Sequence, residues 1–174
     1  MQERPKVARF EEVILPHLDA AYNLARWLTR NDDDAQDMVQ EAYLRAFKFF
    51  DDFRGVDGRP WLLTIVRNTC YTWLQQHRAH DMTPFDEEAH TTEGHTWDPA
   101  MLVLRGDDHR LLRQSLEELP VEFREVVALR DLEGFSYREI AEIANIPAGT
   151  VMSRLARARE RLKQSLCNRL KEKG

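Results

Sequence analysis

Cysteine is nearly absent. Cys70 and Cys167 are the only two, too few and too far apart for a disulfide framework or a zinc knuckle. Glycine and proline number 7 each, which excludes collagen-like, mucin-like and low-complexity chains. No apolar run approaches the roughly 18 residues that a membrane span needs, and Met1-Gln2-Glu3-Arg4-Pro5 lacks the apolar core of a signal peptide. These absences point to a soluble, cytoplasmic chain in a reducing compartment, with no membrane insertion. There is no nucleophile–base pairing, phosphate-cradling glycine loop or HExxH, so no catalysis and no cofactor are expected.

What is present is charge. Of the 174 residues 32% are charged and 43% hydrophobic, a composition that favours helices and a length that suits one ordinary domain or two small ones. A net charge of −5, from 25 basic and 30 acidic residues, argues by itself against nucleic-acid binding. The average conceals a segregation. Residues 83–109 hold one base, Arg105, against seven acids. Residues 150–174 hold eight bases against Glu160 and Glu172. Such blocks imply several surfaces with different partners.

Periodicity places the helices. Phe10, Val13, Ile14, Leu18, Ala21, Leu24, Ala25 and Leu28 recur at steps of three and four over residues 8–30, one helical face. Pro16 falls inside it and predicts a kink or a late start. Asp32-Asp33-Asp34 supplies caps for a second helix, which buries Met38, Val39, Ala42, Tyr43, Ala46 and Phe47. Residues 49–58, with two glycines and three aspartates, read as a loop. A third helix over 59–76 carries the stripe Trp61, Leu62, Ile65, Val66, Thr69, Cys70, Trp73 and Leu74. Residues 81–100 keep no period and read as an acidic tether. Beyond it, Leu111 to Leu119 and Phe123 to Leu129 form two further helices. The fold class is therefore all-α, two small helical domains joined by a flexible acidic linker.

The C-terminal domain carries the most specific local pattern. Ser136-Tyr137-Arg138-Glu139 is a capping box that opens a short helix burying Ile140, Ala141 and Ile143 or Ala144. Asn145-Ile146-Pro147-Ala148-Gly149 makes a turn, with Pro147 suited to the first helical position. The last helix buries Val151, Leu155, Ala158 and Leu162. A short helix, a tight turn and a longer basic helix have the form of a helix-turn-helix. Thr150, Ser153, Arg154, Arg157 and Arg161 fall on the other side of that last helix. Arg can grip guanine O6 and N7, Ser and Thr can reach base edges or phosphate, and the later bases suit phosphate. Arg154 lies at the edge of the buried stripe. A solvated basic helix is the plainer reading of the same face.

Three segments resemble the bacterial sigma-70 family. Asp34 to Ala46 (DAQDMVQEAYLRA) is similar to its core-polymerase-binding helix. Phe53-Arg54-Gly55 with Trp61-Leu62 and Arg67-Asn68 is similar to its promoter-melting region. Ser136 to Ala141 and Gly149 to Arg159 are similar to its upstream-element helix-turn-helix. Two domains with a bare linker look like the extracytoplasmic function (group IV) class. The resemblance implies region 2 over 1–80, a linker over 81–108 and region 4 over 109–174.

It also implies roles. Asp37, Gln40, Glu41 and Arg45 match positions that dock on the β′ clamp helices of core RNA polymerase, and region 4 meets the β flap. Phe53, Arg54 and Asn68 match positions that capture a flipped base of the −10 element, where unstacking is offset by stacking on an aromatic ring and by hydrogen bonds. Arg59, Arg67 and Arg78 suit strand phosphates. Thr150, Ser153, Arg154, Arg157 and Arg161 would read the −35 element. Met152 and Ala156 stand where many relatives carry Arg or a bulky residue. The class implies a promoter-specificity factor, monomeric when free, covered by an anti-sigma protein and released by stress. Phe53 has a second reading as core, and Trp61 and Trp73 read as core rather than as DNA wedges. His77, His80 and Cys70 read as surface histidines and a buried thiol, not a metal site. A stand-alone helix-turn-helix regulator with an N-terminal sensor or dimerisation domain is the alternative.

Overall fold

A computed structural model of the chain describes residues 3–77 and 106–173. All of the regular structure among them is helical. Residues 3–77 form one compact unit and nearly all of 106–173 a second. The tether expected over 81–108 falls outside the described residues up to residue 105, as do Arg78 and His80. Its last three positions already belong to the first helix of the second unit.

In the first unit the 8–30 pattern resolves into two helices. Helix α1 spans Glu3–Ile14, a single 3-10 turn spans Leu15–His17, and α2 spans Leu18–Thr29. Pro16 causes the break: it has no N–H to donate, and its ring crowds the preceding turn. Arg30 closes α2 in the left-handed region at φ 62°. Helix α3, Asp32–Phe49, is capped by Asn31, not by the aspartates. Asn31 is extended at φ −147° and accepts the Asp34 N–H at 3.0 Å. Asp32, Asp33 and Asp34 form the first turn, where their charge suits the positive end of the helix dipole. A 3-10 turn, Phe50–Asp52, leads to a short loop and then to α4, Gly58–His77.

Helices α2, α3 and α4 pack on one another, with α1 against the start of α4. Their core includes Ile14, Leu24, Leu28, Leu62, Leu63, Val66 and Cys70. Leu63 lies outside the expected stripe because α4 is covered on more than one flank. Gly58 is the tightest point of the unit. A Cβ there would stand 2.7 Å from Val13 Cγ1 and 2.9 Å from the Val13 carbonyl oxygen. It is a contact glycine at the start of α4 rather than a loop breaker. Beside it runs an aromatic cluster. Phe10 meets Tyr43, Phe47 and Phe50 edge-on, with centroids 4.9, 5.2 and 5.2 Å away.

The second unit contains α5 (Gly106–Glu118), α6 (Val121–Val127) running into a π-turn at Ala128–Leu132, α7 (Tyr137–Ala144) and α8 (Ala148–Lys173). Gly134, at φ 75°, ends the α6 segment in a conformation that side chains disfavour. The capping box forms in full: the Ser136 N–H donates to Glu139 Oε1 and the Glu139 N–H donates to Ser136 Oγ, each at 3.1 Å. Pro147 stands one place before α8, its carbonyl accepting from the Thr150 and Val151 N–H groups. Val151, Leu155, Ala158 and Leu162 are all buried, as their spacing predicts. In α7 the buried set is Ile140, Ile143 and Ala144, while Ala141 is only half-buried. Buried Arg124 donates to the Glu117 and Leu119 carbonyls, satisfying the C-terminal end of α5.

Candidate functional site

Asp37, Gln40 and Glu41 are all exposed on α3. Spacings of three and four put them on one ridge. Arg45 is exposed as well, but it is engaged: Nη2 pairs with Glu41 Oε1 at 2.6 Å and Nη1 donates to Thr69 Oγ1 of α4 at 3.3 Å. It braces the ridge against α4 as well as extending it. Leu44 is 65% exposed, four residues past Gln40 and three past Glu41. Sequence reasoning missed it, although its seven-residue offset from Asp37 places an aliphatic side chain on the polar face. The ridge is thus acidic and polar around an apolar centre, a surface suited to a basic partner with an apolar seam.

The loop between α3 and α4 corrects the reading of Phe53. Its ring is 5% exposed, stacks on Phe50 at 5.8 Å and tilts against Trp61 at 5.1 Å. The side chain belongs to the aromatic core and offers no free face to a base. Trp61 and Trp73 are half-buried, Trp73 stacking on His77 at 4.6 Å. The apolar side chain that stands at the loop surface is Val56, 97% exposed, which sequence patterning passed over as a turn residue. Arg54 is exposed and donates to the Asp51 carbonyl at 2.6 Å. Asp57 Oδ1 accepts the Arg59 N–H at 3.1 Å and so caps α4. One helical face of α4 then carries Asn68, exposed, and Arg67, half-buried. Arg67 donates to Asn68 Oδ1 at 3.4 Å.

On α8, Thr150, Ser153 and Arg157 are half-exposed and Arg161 is exposed. Ser153 Oγ donates to the Thr150 carbonyl at 3.1 Å, and the Arg161 guanidinium lies over the Phe123 ring at 5.0 Å. Arg154 is a second correction. At 9% exposure it is packed with the buried side of α8, because it lies three residues past Val151 and four before Ala158, in line with the stripe. Met152 and Ala156 are exposed instead. Arg159, in the same basic run, is committed elsewhere. Its Nη2 and Nε donate to Asp131 at 2.6 and 3.3 Å, and the Asp131 side chain is only 3% exposed. Burial pulls the Arg159 pKa down, but hydrogen bonding to Asp131, its charge and Tyr137 outweigh this and hold the pKa above its usual value.

The two units match two family models. Residues 13–80 match Sigma-70 region 2 and residues 109–162 match Sigma-70, region 4. Across most of the chain, the similarity to the ECF RNA polymerase sigma-E factor of Haemophilus influenzae is 34% identity over 153 residues, 82% of this chain and 79% of that protein. The chain belongs to the extracytoplasmic function sigma factors of the sigma-70 family. This sigma factor is an alternative initiation factor for transcription, and the stand-alone regulator is set aside. Solved structures agree. A sigma factor RpoE from Bartonella quintana, in complex with the anti-sigma factor NepR, aligns with TM-score 0.69 and 28% identity, covering 91% of this chain and 96% of that one. CnrH, in complex with the cytosolic domain of CnrY, aligns with TM-score 0.64 and 25% identity, covering 91% and 88%. Among the described residues no helix is long and apolar enough to cross a membrane.

Proposed function

We propose that this sigma factor binds core RNA polymerase through the α3 ridge, melts and holds the −10 element with α4 and the preceding loop, and reads the −35 element with α8. The observation that carries this reading is the exposure of Asp37, Gln40, Glu41 and Leu44 on one face of α3, since a ridge with an apolar centre left uncovered in the free protein suits a docking surface. Arg54, Arg59, Arg67 and Asn68 line the approach to the strand. Thr150, Ser153, Arg157 and Arg161 present the −35 surface. The reactions of transcription belong to the polymerase, and the sigma factor supplies promoter choice. It acts in the cytoplasm as a monomer when free, and an anti-sigma protein silences it by covering the surfaces that polymerase needs, as the pairing of RpoE with NepR suggests. The test is run-off transcription with core polymerase, with and without the chain, on a library of promoter sequences. The expected result is initiation at one promoter class only when the chain is present. Unchanged initiation by core enzyme refutes the proposal.

A further inference from the structure

Lys6 is half-buried on α1 and engaged twice. Its Nζ pairs with Asp51 Oδ2 at 3.0 Å and lies 4.7 Å from the centre of the Phe47 ring. With Phe10 and Val13, at steps of four and three, it forms one face of α1. Each of the three meets the segment between α3 and α4. Lys6 meets Asp51, Phe10 meets the Phe50 ring edge-on at 5.2 Å, and Val13 closes on Gly58. Helix α1 thus holds the loop at both ends. Asp51 in turn faces two ways. Among the described residues Lys6 is the only ion partner of its carboxylate, while its carbonyl oxygen accepts from Arg54 Nη1 at 2.6 Å. The Asp51 carboxylate is exposed, and an ion pair with one partner in water adds little to stability. The fold does not need this pair, and Arg54 is what it reaches.

We propose that Lys6 is a positioning residue for Arg54: by fixing Asp51 it sets the backbone carbonyl that holds the Arg54 guanidinium toward the −10 strand. This rests on the proposed placing of Arg54 at the approach to that strand. Arginine carries five N–H donors in a planar fork. One is spent on the Asp51 carbonyl, and the rest remain for phosphate or a base edge. A guanidinium held in place before the DNA arrives loses less freedom when it binds. Without Lys6 the Asp51 carboxylate is released into water and the turn at Phe50–Asp52 loses its outer tie. Arg54 then has to be ordered at the moment of binding. The cost falls on promoter engagement, and the α3 ridge does not share it.

The experiment uses holoenzyme reconstituted from core polymerase and the full chain. Affinity for a pre-melted promoter template, association with core polymerase and the urea unfolding midpoint are measured for each variant. Lys6→Met, which keeps the stem over Phe47, should weaken template binding about two- to tenfold and leave core association and the midpoint as in wild type. Lys6→Arg should restore the ion pair and the affinity. Asp51→Ala should weaken binding as Lys6→Met does, although it takes a negative charge away from the strand. Arg54→Ala should also weaken binding, and adding Lys6→Met to it should cost nothing more, because the lysine acts through the arginine. Lys6→Met at wild-type affinity overturns the proposal. So do losses from Lys6→Met and Arg54→Ala that multiply, which put Lys6 on the strand directly, and tighter binding by Asp51→Ala, which leaves only charge at work. A midpoint that falls in Lys6→Met, with core association dropping in step, overturns it too and makes the pair a brace of the fold. Arg54→Ala at wild-type affinity removes Arg54 from the strand and the relay with it, while the α3 ridge and its run-off test stand apart.

Discussion

Truncating Phe53 to alanine removes a ring that touches Phe50 and Trp61, and a large-to-small change in such a cluster costs about 3 kcal/mol or more. The expected outcome is a lower unfolding midpoint for the first unit, measured by urea titration, with promoter opening lost in proportion on duplex and pre-melted templates alike. Asn68→Ala should instead leave the midpoint in place and impair opening of the duplex more than use of the bubble, as permanganate footprinting would show. On α8, Arg157→Ala should cost about 1–3 kcal/mol on the preferred −35 sequence and relax base choice at one or two positions, because its half-exposed side chain lies on the face proposed to read the bases. Arg161→Ala should weaken all sequences alike and lower the salt slope by about one unit. Transcription from an upstream-element library at two salt concentrations reads both effects. The family resemblance marked Phe53 as functional and the helix face marked Arg154, while the residues left Phe53 a second reading as core and set Arg154 at the edge of the buried stripe. Choosing between the readings needs the packing partners, Phe50 and Trp61 for Phe53 and the buried side of α8 for Arg154, which residue identity does not supply.

At the scale of the element, the spacing of Val151, Leu155, Ala158 and Leu162 was enough to find α8 and its buried face, and Ser136 with Glu139 was enough to start α7. Patterns of this kind are legible because they repeat within one helix. The 3-10 turn at Pro16 was legible only as a disturbance, and the π-turn at Ala128–Leu132 was invisible, since a single wider turn barely alters the run of apolar residues. That turn carries Asp131 to Arg159. Asp131→Ala leaves a half-buried guanidinium without its carboxylate and should cost about 1–3 kcal/mol. The check is hydrogen exchange: α7 and α8 should lose protection while α2 to α4 serve as the internal control. Because the Arg159 pKa is raised in the folded state, the contribution of its charge is present at all ordinary pH values. It is lost only as pH climbs past the normal arginine range.

For the whole molecule, the division of labour follows from charge as much as from fold. A chain of net charge −5 whose last 25 residues are strongly basic holds duplex DNA weakly with one unit at a time. Under the proposed function both units engage one promoter in the holoenzyme, and the second contact becomes intramolecular. The chain alone should therefore bind a promoter duplex about 10²- to 10⁴-fold more weakly than holoenzyme does, as competition gel shifts would measure. Under the proposed function the ridge governs entry into that complex. Asp37→Arg with Glu41→Arg reverses its sign at exposed positions, and should reduce association with core polymerase more than tenfold while thermal stability holds. Co-purification at wild-type levels would count against α3 as the docking helix.

Gly58 sets a limit of another kind. With Val13 Cγ1 only 2.7 Å from where its Cβ would be, the start of α4 has no room for any side chain, while Val56, two residues earlier, touches almost nothing. In a saturation library scored for folded protein, position 56 should accept nearly the whole alphabet and position 58 should return glycine alone. The short segment before α4 is therefore free to vary at its tip, provided that the residue at its base never changes.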